Sequence, residues 1–158
     1  MQIFNLFPTP VAFFDLNREL TIKELNFVDN LKQRPNSNNL TSVDNDILNN
    51  KELTSIRDFI EISLDSYLKD VYQPEDGVSL RITQSWTNYT KPGQSHHKHV
   101  HPNSFISGVF YIKANKEMDR ISFYKDNDFQ LTISTKNWNL YNSNSWWLPV
   151  GSCELILF

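Results

Sequence analysis

The amino-acid sequence predicts an α+β chain that is mainly β: two helices first, then an antiparallel β domain of sandwich or barrel type. Three observations lead there. Apolar residues recur at helical spacing from Ile22 to Leu31 and again from Leu53 to Val71. From Val78 the period changes to two, with short apolar runs separated by turn residues. There is no internal repeat and no second core, and 158 residues suit one domain. The expected organisation is a single domain over residues 1–158, with a helical part at 17–73 and a β core at 78–158.

Taken in order, residues 2–16 are apolar and aromatic but interrupted by Pro8 and Pro10, which suits an extended segment on a sheet edge. Thr21-Ile-Lys-Glu24 has the form of a capping box, and Ile22, Leu25, Val28 and Leu31 then line one helix face, with Pro35 closing the helix. Residues 35–50 are rich in Asn, Ser, Thr and Asp and read as a loop. Asn49 and Glu52 form a second capping box. The stripe Leu53, Ile56, Phe59, Ile60, Leu64, Tyr67, Leu68 and Val71 then makes an amphipathic helix that ends before Pro74 and Gly77. Strands are expected over 78–84, 82–90, 105–113, 121–124, 129–134, 145–148 and 154–158, with Pro92-Gly93 as a turn. Trp138, Tyr141, Trp146 and Trp147 read as core and loop packing.

Composition narrows the function. Aromatic residues are 13% of the chain, ample for a packed core, so the chain is not a disordered tail. The four glycines are dispersed, which removes a P-loop and the dinucleotide fingerprint. A net charge of −3 gives no electrostatic case for nucleic acid. Cys153 is the single cysteine, so an internal disulfide and a cysteine-held metal cluster are both ruled out, and a reducing, cytoplasmic setting is expected. The N-terminus lacks a signal-peptide pattern and no apolar run is long enough to span a bilayer, so no membrane association is expected.

All four histidines fall in Ser95-His-His-Lys-His-Val-His-Pro-Asn-Ser104. His97, His99 and His101 are two apart, so on a strand their imidazoles would share one face. Neutral imidazole is a common ligand for Fe, Zn, Cu and Ni, and a pair two apart offers two nitrogens to one ion. A third ligand in this chain would have to be His97, an Asp or Glu, or Cys153. A cupin motif would place a Glu shortly after H-x-H, where this chain has Phe105 and Ile106. A zinc hydrolase would need a general base that nothing here singles out.

The stretch Ser85-Trp-Thr-Asn88, the Pro92-Gly93 turn and His99-Val-His-Pro-Asn-Ser-Phe-Ile-Ser-Gly-Val-Phe-Tyr111 resembles the 2-oxoglutarate/Fe(II)-dependent oxygenases found in marine bacteria and cyanophages. That family reads S-W-x-N, a turn, then H-x-H-P-x-S-x-x-S-G-V-Y-Y. Leu6-Phe-Pro-Thr-Pro-Val11, Asn139-Leu-Tyr-Asn142 and Gly151-Ser-Cys-Glu-Leu-Ile-Leu-Phe158 are similar to further parts of it. The family continues P-S-x-L-x-H and then an Arg, and this sequence stops before both. The resemblance therefore implies a chain truncated within its last strands, lacking the distal His ligand and the Arg that clamps 2-oxoglutarate. A sequence ending on the apolar strand Cys153-Glu-Leu-Ile-Leu-Phe158 agrees with that expectation, which would leave residues 153–158 as an exposed edge.

The resemblance further implies a double-stranded β-helix (jelly roll) preceded by the two helices, with Fe(II) as metal and 2-oxoglutarate as cosubstrate. Decarboxylation of the oxo acid by O₂ would drive hydroxylation of a substrate C–H bond. His99 and His101 would be the metal pair, with His101 at the position where the wider superfamily has a carboxylate. His97 would support the pair or bind the metal alternatively. Ser107 and Tyr111 would contact the cosubstrate, and Trp86 and Asn88 would line the substrate pocket. Two other functions compete: a non-catalytic jelly-roll binding or phage structural module, and a cupin-like or zinc-dependent enzyme.

Overall fold

The computed structural model describes residues 1–125 and 133–158. Within them lie two α-helices and eight short strands in antiparallel sheets. Strand β1 (Ala12–Asp15) leads to helix α1 (Ile22–Asp29). The expected capping box is present: Thr21 Oγ1 accepts from the Glu24 amide at 3.3 Å, and the Thr21 amide donates back to Glu24 Oε2 at 2.7 Å. Arg18 Nη1 and Nη2 grip both oxygens of the same buried carboxylate at 3.0 and 2.6 Å. Helix α1 stops at Asp29, well before Pro35, because Asn30 caps it by donating its amide and side chain to the Asn26 carbonyl.

The polar segment expected to be a loop holds two strands, β2 (Gln33–Pro35) and β3 (Leu40–Ser42), so strands also occupy the part expected to be helical. Strand β3 is held in place because its polar side chains find partners at Thr87, just before the next strand. Thr41 Oγ1 donates to the Thr87 carbonyl, and Ser42 Oγ accepts from the Thr87 amide. Two 3₁₀ turns, Ile47–Asn49 and Lys51–Leu53, precede helix α2 (Thr54–Tyr67), which closes in a π-helical turn, Leu68–Tyr72. The cap sits one residue later than expected. Asn50 Oδ1 accepts from the Glu52 amide, while Asn49 Oδ1 takes a hydrogen bond from Arg57.

The β core is less regular than its period suggests. Residues 78–84 form no strand and connect to the sheets only through the Asp46–Ser85 bridge. Strand β4 is Asn88–Tyr89, β5 is Gly108–Phe110, β6 is Arg120–Tyr124, β7 is Ser145–Pro149 and β8 is Glu154–Leu157. The strand expected from Phe129 falls mainly outside the described residues. Trp138, Tyr141, Trp146 and Trp147 are exposed, which corrects their reading as core.

The sheets are β1-β8-β5, β2-β3-β4 and β6-β7. Strand β1 is an edge, and Pro8 and Pro10 lie just before it, outside the paired residues. Strand β8 is central, with β1 along one side and β5 along the other, so residues 154–157 are not the exposed edge that was expected. Leu155 and Leu157 join Ile56, Ile60 and Tyr67 of α2 in the main cluster. Ile156 is buried on the opposite face, and a strand covered on both sides reads as a continuous apolar run.

Candidate metal centre and cleft

The four histidines lie in the connection between β4 and β5. The chain reverses at Pro92-Gly93, where the Gln94 amide donates to the Lys91 carbonyl and Gly93 has φ +82°. Residues 94–101 form no strand, so alternation along a strand does not align the histidines. The reason is pairing: β4 ends at Tyr89, and no neighbouring strand accepts the backbone beyond it.

His99 and His101 nevertheless converge, with their Nε2 atoms 2.7 Å apart. Each ring is anchored through its other nitrogen. His99 Nδ1 lies 2.9 Å from the His97 carbonyl, which can only accept, so this nitrogen carries the proton and Nε2 carries the lone pair of the neutral ring. His101 Nδ1 is 3.0 Å from Ser107 Oγ. With Nε2 of His101 protonated, that nitrogen donates to His99 Nε2 while Nδ1 accepts from Ser107; with Nδ1 protonated instead, two lone pairs face each other, the arrangement a bound cation would select. Imidazole nitrogens sit about 2.0–2.1 Å from a bound ion, so two ligands at right angles lie about 3 Å apart. The observed spacing is close to that. Anchoring of the distal ring nitrogen is also how ligating histidines are held in metal sites.

The electrostatics favour the neutral, ligating form. Burial, and then the neighbouring His99, push His101 below its ordinary pKa. His96 is lowered by burial and then by the three other histidines, and its Nδ1 accepts from Asn39 Nδ2 at 3.1 Å. The His97 ring lies 5.0 Å from that of His99, and its buried Nδ1 has no partner.

Three of these rings open onto a cleft of about 260 Å³, while His101 and Ser107 lie behind His99 and Trp86 and do not line it. His96, His97 and His99 form one side, Gln84 and Trp86 another. The β2–β3 hairpin and the segment after it supply Arg34, Asn36, Thr41 and Asn45. The edge of Trp86 meets the His101 ring with centroids 5.6 Å apart. Lys98 turns away and lies over the Tyr124 ring.

The structure thus brings together His97, His99, His101, Ser107 and Trp86. Asn88 is exposed on β4 and does not line the cleft. Tyr111 is also outside it; burial, with Asp119 nearby, raises its phenol to about 12. Cys153 sits at the turn into β8, its carbonyl accepting from Leu16, away from the histidines. Among the described residues, no group of three or more His, Cys, Asp or Glu is arranged to hold a metal ion. His99 and His101 are the histidines whose ring nitrogens meet. Sequence reasoning missed Arg34, Asn36, Thr41, Asn45 and Gln84. They reach the cleft by long-range pairing, and only the adjacency of His96 to the cluster offered any signal.

A family model described as "Putative 2OG-Fe(II) oxygenase" matches residues 84–158. The match supports the likeness to the 2OG-Fe(II) oxygenase superfamily drawn from the histidine motif, and it takes in the Gln84 and Trp86 wall and all four histidines. The β2–β3 wall lies outside it. No curated protein and no solved structure matches the chain. Among the described residues no helix is long and apolar enough to cross a membrane.

Proposed function

We propose that the cleft is the site of a 2-oxoglutarate- and Fe(II)-dependent oxygenase that hydroxylates a small-molecule substrate, carried on a fold of double-stranded β-helix type. The observation that carries this reading is the facing Nε2 pair of His99 and His101, each ring anchored at Nδ1. These two nitrogens would hold Fe(II), and with the oxo acid the metal supplies the oxidising power for C–H hydroxylation.

The chain's own residues do the positioning. The His97 carbonyl fixes the tautomer of His99, and Ser107 fixes the plane of His101. Ser107 Oγ can accept from His101 and still donate its own proton to a cosubstrate carboxylate, so its two expected roles are compatible. Trp86 shields one side of the pair from water. A metal held by two protein ligands leaves several positions for a chelating cosubstrate and water.

The absence of a third ligand among the described residues also favours a second reading, a binding module without catalysis. Thermal unfolding without oxygen separates the two. At a hundred times Kd, Fe(II) with 2-oxoglutarate stabilises the native state by about 2.7 kcal/mol. For a chain of this size that is a melting rise of roughly 5–10 °C. The rise disappears in the His99→Ala/His101→Ala double variant. No rise in the parent chain, or an equal rise in the double variant, refutes the oxygenase reading. A larger rise with Zn(II), indifferent to 2-oxoglutarate, favours a zinc enzyme.

A further inference from the structure

Among the described residues, Arg34 is the one permanent charge on the cleft wall. It lies on β2, opposite Thr41 of β3 in the sheet register, so the hairpin fixes where its side chain starts. Among the described residues it takes part in no salt bridge, unlike Arg18 and Arg57. Among the described residues no Asp or Glu lines the cleft. The nearest carboxylates along β3, Asp44 and Asp46, do not reach it, and Asp44 Oδ1 is occupied by the Asp46 amide. The same cleft is lined by neutral groups that can donate: Asn36, Asn45 and Gln84. Trp86 provides an aromatic surface between this polar end and the histidines.

A guanidinium without a carboxylate partner, sharing a cleft with three amides, is suited to receive an oxyanion, because its planar fork donates two parallel hydrogen bonds. We propose that the cleft takes a small substrate bearing a carboxylate or phosphate, with that anion on Arg34 and the substrate body on Trp86. The group to be hydroxylated then lies toward His99 and His101. This assignment rests on the oxygenase reading for the word substrate, but the anion site itself does not need the metal. Arg34, Asn36 and Asn45 lie outside the segment that matches the family model.

The test uses benzoate, phenyl phosphate and neutral benzamide as probes, titrated into the metal-free chain and followed by ligand-observed NMR. Benzoate or phenyl phosphate binds at least tenfold more tightly than benzamide, and the stronger of the two identifies the anion. Arg34→Gln removes that tenfold advantage and leaves benzamide binding unchanged, while Arg34→Lys restores part of it. Equal binding of benzamide and both anions, or a change below twofold in Arg34→Gln, overturns the proposal. Saturating 2-oxoglutarate with Co(II) as a redox-inert metal leaves the probe bound. Displacement of the probe by that pair overturns the substrate assignment, because Arg34 then serves the cosubstrate. Should metal and 2-oxoglutarate fail to bind while the anion selectivity stands, the oxygenase reading fails and the Arg34 site remains.

Discussion

Replacing Ser107 with alanine isolates the positioning of the metal pair. Ser107 Oγ is 3.0 Å from His101 Nδ1, and its removal frees the ring to rotate about χ2 and exchange tautomers. Losing such an outer partner costs about 10–100-fold in metal affinity, or roughly 1.4–2.7 kcal/mol. The structure places the expected effect near the lower end, since His101 is only half-buried and Trp86 still packs against it. The fold should survive. The Ser107 amide donates to the Phe158 carbonyl at 2.8 Å, and the Phe158 amide returns a hydrogen bond at 2.9 Å. Both lie in the backbone and persist in the variant. Calorimetric titration with Co(II) therefore gives about tenfold weaker binding for Ser107→Ala at nearly unchanged melting temperature. Ser107→Thr, which keeps the hydroxyl, recovers most of the affinity. Binding within twofold of the parent, in a background where His101→Ala abolishes it, refutes the positioning role. A loss seen only when 2-oxoglutarate is present assigns the hydroxyl to the cosubstrate instead.

Two further predictions concern stability. Arg18, then the Thr21 hydrogen bonds, hold the Glu24 carboxyl at about 2 against an ordinary 4.5. A depressed carboxyl stabilises the fold above its unfolded pKa, and the contribution is lost as pH falls from about 4.5 toward 2. The shift corresponds to about 3 kcal/mol, and screening at Arg18, whose side chain is 32% exposed, reduces it to roughly 1–2 kcal/mol. Urea unfolding across that range shows this slope in the parent chain, and Glu24→Gln flattens it; an unchanged slope in the variant rejects the assignment. At Gly108 a Cβ would stand 2.8 Å from Leu157 Cδ2, which is buried in the core. Gly108→Ala thus lowers stability by about 1–2 kcal/mol, read as a lower urea midpoint at constant slope, whereas an unmoved midpoint shows that Leu157 repacks freely.

What the sequence made legible was local. Thr21-x-x-Glu24 announces a helix start because the capping contacts lie within one turn, and they form as expected. The stripe of α2 is legible for the same reason. The third partner of Glu24, Arg18, is not, since nothing in spacing says that a residue six positions back will fold over the carboxylate. Strand period misleads where a partner is missing. Val78, Leu80 and Ile82 alternate well, yet a strand exists only as a pair, and no neighbour is supplied. The opposite error occurs at β2 and β3, where composition argues for a loop and buried hydrogen bonds from Thr41 and Ser42 override it. Arg34 was hidden by that same misreading. A residue taken to be on a solvated loop gives no reason to be placed beside histidines more than sixty positions away.

The two halves of the fold meet at the site through different physics. Strand β8 is held by α2 beneath it and by β1 and β5 on either side, so its end is among the best-supported parts of the chain. Phe158 passes that rigidity to Ser107 through two backbone hydrogen bonds, Ser107 passes it to His101, and His101 faces His99. His99 is exposed and is held by the carbonyl of its own irregular segment, so the pair joins a firmly mounted ligand to a loosely mounted one. A bound ion would add the most order to the His99 side. The same asymmetry explains why the β2–β3 wall matters: it supports the irregular segment through Asn39 and His96 and carries Arg34 to the far end of the cleft.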